Sequence, residues 1–214
     1  MLKTTVLAGP ITNLTDARYF AAREAKWLLF DFEPTSETYL DPQKMSAIRE
    51  WVDGVKIVGA FELTEAYEIR ENIAKWQLDA IQLGMLTPVE TVIELQANVP
   101  VFKEIVIERT TNFENLMSIL ESWQPFVQFF VLNFYKNGIS WGQLNDSDLL
   151  SVHTLTKLLQ NFPIVLGIDL QLEVLKGMED MLLFSGLYVK GEAEEKIGYK
   201  SFEELDAIFD LLEA

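Results

Sequence analysis

The chain has 214 residues, 49% hydrophobic and 23% charged, with no break in composition, which fits one globular domain with a substantial core. Thirty-three acidic residues against 17 basic ones give a formal charge of -16, which disfavours nucleic acid and anionic membrane surfaces and obliges any anionic ligand to find a local patch of donors. The sequence contains no cysteine, which excludes disulfides, thiolate catalysis and cysteine-ligated metal.

In chain order, apolar runs of strand type alternate with amphipathic helical windows. The strand candidates are residues 5–8, 27–32, 55–61, 79–83, 102–108, 127–134, 164–169 and 181–189. Most are near-continuous apolar runs, as expected of parallel strands covered on both faces. The helix candidates are 16–25, 42–51, 64–76, 88–96, 113–123, 148–160, 171–178 and 202–212. Asn13 or Thr15 can cap the first, and Pro42 opens the second at a first-turn position behind Asp41. Eight strand–helix pairs at this spacing predict an α/β fold, a (β/α)8 TIM barrel spanning residues 1–214 as a single domain. A doubly wound sheet is the rival, but no G-x-G-x-x-G turn is present. The N-terminal residues show no secretory pattern and no apolar run is long enough to span a bilayer, so a cytoplasmic protein is expected.

Several segments carry a family likeness. They are Val6-Leu7-Ala8-Gly9-Pro10-Ile11-Thr12-Asn13 followed by Asp16-Ala17, and the stretch from Phe30 to Pro42. Val58-Gly59-Ala60-Phe61, Leu78-Asp79-Ala80-Ile81-Gln82-Leu83-Gly84 and Gly198-Tyr199-Lys200 complete the set. Together they resemble phosphoribosylanthranilate isomerase along the whole chain. The resemblance implies a barrel that performs an Amadori isomerisation in tryptophan biosynthesis, with a Cys ending the first strand as general base and an Asp ending the sixth as general acid. Those positions fall on Ala8 and Asn133, neither of which can transfer a proton. The family's anthranilate-binding Arg falls on Thr38. Its paired glycines after the seventh strand fall on Gly167-Ile168, and its Ser-Ser-Gly after the eighth on Lys190-Gly191-Glu192. General acid–base catalysis contributes about 10²–10⁴-fold per positioned group, so an inactive or altered barrel is expected.

In a TIM barrel the chemistry sits at the C-terminal ends of the strands. Candidates there include Asp31, Glu33, Glu62, Gln82, Glu108, Arg109, Asn133, Asp169 and Lys190. Acidic residues are abundant throughout, so solvated loop charges and mutual ion pairs are the plain reading. Asp31 and Asp169 stand out because each lies within or at the end of an apolar run, where a carboxylate is costly unless paired. They are the candidate substitute catalytic groups. Thr38, Gln82, Arg109, Gly167, Lys190 and Gly191 are the candidate ligand-binding residues. The single histidine, His153, falls on an outer helix, and no metal or cofactor is expected. Trp141 and Tyr39 fall in loops where they could stack on a planar ligand, whereas the aromatic residues from Phe126 to Tyr135 read as packing.

The first expectation is a pseudoenzyme that binds a small metabolite, such as a sugar phosphate, or a partner protein, as a monomer or homodimer. The alternative is an active isomerase in which Asp31 or Asp169 replaces the lost groups. A different sugar-phosphate or amino-sugar enzyme on the same scaffold is the third.

Overall fold

The computed structural model describes residues 2–144, 150–177, 186–191 and 200–213. Eight strands form a closed barrel in sequence order, each parallel to its neighbours: β1 (Thr5–Ala8), β2 (Trp27–Asp31), β3 (Lys56–Phe61), β4 (Ala80–Leu83), β5 (Val101–Val106), β6 (Phe129–Asn133), β7 (Ile164–Gly167) and β8 (Gly186–Val189). β8 closes on β1 with Leu7 opposite Tyr188 and Ala8 opposite Val189. The eight-strand barrel expected from the sequence is therefore the observed fold. The early part of the predicted eighth strand, residues 181–185, lies outside the described residues.

Among the described residues eight α-helices surround the barrel: α1 (Leu14–Ala22), α2 (Pro42–Arg49), α3 (Ala66–Trp76), α4 (Val89–Leu95), α5 (Phe113–Trp123), α6 (Val152–Asn161), α7 (Leu172–Gly177) and α8 (Glu203–Leu212). Short polar side chains set several starts. Asn13 accepts from the Asp16 amide, so α1 begins two residues earlier than predicted. Asp41 accepts from the Gln43 and Lys44 amides ahead of Pro42. Asn112 and Ser151 cap α5 and α6 in the same manner. The predicted start of the sixth helix, Asp148, lies outside the described residues, as does Met178 at the predicted end of the seventh.

Strand residues alternate between two apolar layers. Leu7, Trp27, Leu29, Val58, Ala80, Phe102, Val131, Val165 and Tyr188 cluster inside the barrel. Val6, Ala8, Leu28, Phe30, Ile57, Ile81, Ile105, Leu132, Leu166 and Leu187 belong to a larger cluster shared with the helices. Inside, Trp27 and Phe129 meet Phe102 edge-on, with centroids 5.2 Å apart in each pair. The interior is thus a packed floor that closes the barrel below its C-terminal mouth. No described helix is long and apolar enough to cross a membrane.

Candidate functional site at the barrel mouth

One more step of the inward alternation carries five of the eight strands from the apolar floor to a polar layer. Leu29 is followed by Asp31, Ala80 by Gln82, Phe102 by Glu104, Val131 by Asn133 and Tyr188 by Lys190. Above them opens a cavity of about 330 Å³, lined also by Glu33, Glu37, Thr38, Glu62 and Lys136.

The centre of the layer is Glu104, only 4% exposed. Its Oε1 accepts the Asn133 side-chain amide at 2.7 Å, and its Oε2 accepts the Lys136 ammonium at 2.7 Å. The Asn133 carbonyl oxygen accepts from the Lys136 backbone N–H, which fixes the orientation of the amide. Burial pulls the Lys136 pKa down, but Glu104, Glu62 and Asp31 outweigh it and leave the pKa above the ordinary lysine value. The position expected to hold a proton donor is therefore an immobilised amide supporting an ion pair. Neither Glu104 nor Lys136 was anticipated from the sequence. The available signal was Lys103-Glu104, two adjacent charges inside a strand that the barrel buries on both faces.

Asp31 is also committed. Its Oδ2 accepts from the hydroxyls of Ser36 at 2.5 Å and Thr38 at 2.8 Å, and its Oδ1 from the Glu33 amide. Thr38 thus lines the cavity while its hydroxyl holds the β2–α2 loop to Asp31. Gln82 is 5% exposed, and its Oε1 is enclosed without a hydrogen-bond donor among the described residues.

The placement of Ala8 requires a correction. Its side chain packs in the outer layer with Val6 and Ile11, so the inward position at the end of β1 belongs to Gly9. A Cβ on Gly9 would stand 2.7 Å from the Leu29 carbonyl oxygen and 2.8 Å from the Leu29 Cβ. No side chain fits there without moving β2.

On the β7–β8 side, Gly167 does not open to the mouth. A Cβ there would meet the Tyr188 ring at 2.6 Å, so Tyr188 covers the glycine where the resemblance placed a phosphate contact. Burial pushes the Tyr188 hydroxyl well above the ordinary tyrosine pKa. Gly191 lies against Asp16, whose carboxylate is held by Lys200 at 2.6 and 2.7 Å, and that buried pair ties α1 to the segment before α8. Glu192, expected to repel phosphate, lies outside the described residues. Lys190 reaches both the mouth and the Tyr135 ring, at 4.6 Å from its centroid; burial lowers its pKa.

Other candidates are not brought to the mouth. Asp169 lines a neighbouring pocket of about 170 Å³ with Tyr135, Leu175 and Glu204. Arg109 donates to Gln143 and lines a third pocket of about 120 Å³ with Glu108. Trp141 is buried in the outer core and offers no stacking face, whereas Tyr39 is 38% exposed. His153 lies exposed on α6. Outside the barrel wall, Lys103 is buried and donates to the Gly84 and Thr87 carbonyls beside the Trp123 ring. Burial lowers its pKa to about 8, partly opposed by Glu62 and Glu104.

Five carboxylates and two lysines line the cavity, an excess of three negative charges. At about 6 Å and an effective dielectric of about 20, each unpaired like charge costs an entering anion roughly 2–3 kcal/mol.

No family profile matches the sequence, and no curated protein matches it. Solved structures do. Phosphoribosylanthranilate isomerase from Thermus thermophilus superposes with a TM-score of 0.72 at 25% identity, covering 97% of this chain and 98% of its own. The same enzyme from Thermotoga maritima gives a TM-score of 0.75 at 21% identity, covering 98% of each chain. KGPDC from Streptococcus mutans shares the fold at a TM-score of 0.64 and 14% identity, covering 99% of this chain and 98% of its own. The chain thus resembles phosphoribosylanthranilate isomerases over nearly its whole length.

Proposed function

We propose that this barrel binds a small molecule at its C-terminal mouth and does not catalyse the isomerisation that its structural neighbours are named for. The observation that carries this reading is the joint state of Gly9 and Asn133. At the first, Leu29 leaves no space for a basic side chain; at the second, an amide without a transferable proton is locked onto Glu104. Two groups worth about 10²–10⁴-fold each are absent together. The two replacements foreseen from the sequence do not make up the loss. Asp31 holds three donors of its own loop, and Asp169 faces a different pocket.

The second reading, an isomerase with substituted machinery, draws its support from Glu104, a carboxylate that lines the cavity. Its bonds to Asn133 and Lys136 favour a structural anion over a proton shuttle. The two readings separate in an assay that follows the fluorescence of phosphoribosylanthranilate. Purified protein is expected to leave the decay at its uncatalysed rate. Saturable turnover that disappears in Glu104→Gln would establish the second reading instead.

A further inference from the structure

The chemistry of the cavity wall names a ligand class. We infer that the mouth takes a compact, non-phosphorylated polyol carrying an ammonium group, an inference that rests on the mouth being a small-molecule site.

Of the five lining carboxylates, Glu104 is matched by Lys136 and Asn133, and Asp31 by the donors of its own loop. Glu33, Glu37 and Glu62 remain on the β2–β3 side. Glu33 accepts from the Leu63 amide and the Thr35 hydroxyl, which place it but leave its charge. Glu62 shares the Lys136 ammonium with Glu104 as the longer of two ion pairs, 3.7 Å against 2.7 Å, so its charge is only partly offset, and it lies against Gly84, where a Cβ would stand 2.7 Å from its carboxyl carbon. Gly84 lies two residues beyond Gln82 at the end of β4, so a carboxylate and a buried carbonyl acceptor occupy the same wall. An enclosed acceptor without a donor is costly, and a ligand N–H or O–H would satisfy Gln82. An ammonium answers both groups at once, because it donates to the amide oxygen and neutralises the carboxylate. Across the cavity, the Lys190 ammonium suits a hydroxyl oxygen.

Phosphate finds the opposite environment. Tyr188 covers Gly167, the neutral Asp16–Lys200 pair fills the space beside Gly191, and the lining charge is negative. A volume of about 330 Å³ lies at the small end of ligand pockets, which suits a single short polyol chain.

Calorimetric titration with D-glucamine, sorbitol and sorbitol 6-phosphate at neutral pH and low salt tests this, since the three share one carbon chain and differ in charge. D-glucamine is expected to bind about tenfold more tightly than sorbitol, and sorbitol 6-phosphate most weakly. Glu62→Gln, a half-exposed substitution that spares the core, should erase the preference for the amine. Gln82→Leu should weaken D-glucamine about tenfold. Tightest binding by sorbitol 6-phosphate would overturn the ligand class while leaving the mouth a binding site. Heat from none of the three, or a preference untouched by Glu62→Gln, would also overturn the class, and neither result touches the isomerase assay.

Discussion

The floor and the mouth of this barrel are built by the same strands, two residues apart, and their contents are opposite. The floor is filled by Trp27, Leu29, Phe102, Val131 and Tyr188; the next inward positions carry Asp31, Glu104, Asn133 and Lys190. The floor is stabilised by non-directional burial, so its residues are interchangeable within the limits of volume. Each polar group in the mouth requires a named partner, and the structure supplies one for Glu104, Asn133 and Asp31 but not for the Gln82 carbonyl oxygen. The contrast separates a layer held by burial, where the Trp27 indole N–H is also left without a partner among the described residues, from a layer of polar groups whose pairing sets what the mouth can bind.

The largest effect should come from the floor. Phe102→Ala removes a fully buried ring that contacts both Trp27 and Phe129, and urea denaturation should show a loss of about 3–5 kcal/mol. A loss under about 1 kcal/mol would mean that the floor is not a close-packed layer.

The next effect lies behind the wall, at Lys103. Its folded pKa of about 8 stands below the unfolded value of 10.5, so between these limits the unfolded chain holds more protons and stability rises with pH. Relative to Lys103→Met, the wild type should gain about 2–3 kcal/mol as pH climbs through that window. A flat difference would show that the buried ammonium keeps its ordinary affinity for the proton.

The mouth should respond less, because one member of its ion pair is 46% exposed. Lys136→Met strands the buried Glu104 and should cost about 2 kcal/mol, with Glu104→Gln added to it restoring most of the loss. Full additivity of the two substitutions would show that the groups do not depend on each other. Ser36→Ala removes one of the three donors to Asp31 and should cost about 1 kcal/mol, chiefly as increased mobility of the β2–α2 loop in amide exchange.

The same division decides what the sequence could reveal. The floor and the outer layer write themselves as apolar runs with helical windows between them, so the strands and the barrel were legible. The helix start behind Asp41 was legible, whereas the start shifted where two candidates competed, as at Asn13 and Thr15, and at Ser151, which caps a helix expected from residue 148. The mouth was only partly legible. Asn133, Asp31, Gln82 and Lys190 could be placed at strand ends by counting, and Thr38 through the family resemblance, whereas Ala8 could not, because inward and outward positions differ by a single residue. Glu104 was hidden inside a strand, and its partner Lys136 lies 32 residues away, on a turn after β6. Tyr188 over Gly167 is a contact between neighbouring strands that no local pattern announces.

We propose that the polar layer is built around its own internal pairs and an acceptor wall rather than around a sugar phosphate. A phosphoribosylanthranilate isomerase has been solved with reduced 1-(o-carboxyphenylamino)-1-deoxyribulose 5-phosphate, which makes that compound the sharpest probe. Calorimetric titration of the present protein with it should give no saturable heat below millimolar concentration. Micromolar binding that is lost in Lys190→Ala would contradict the account, because the mouth would then hold the dianion that its charge is arranged to refuse.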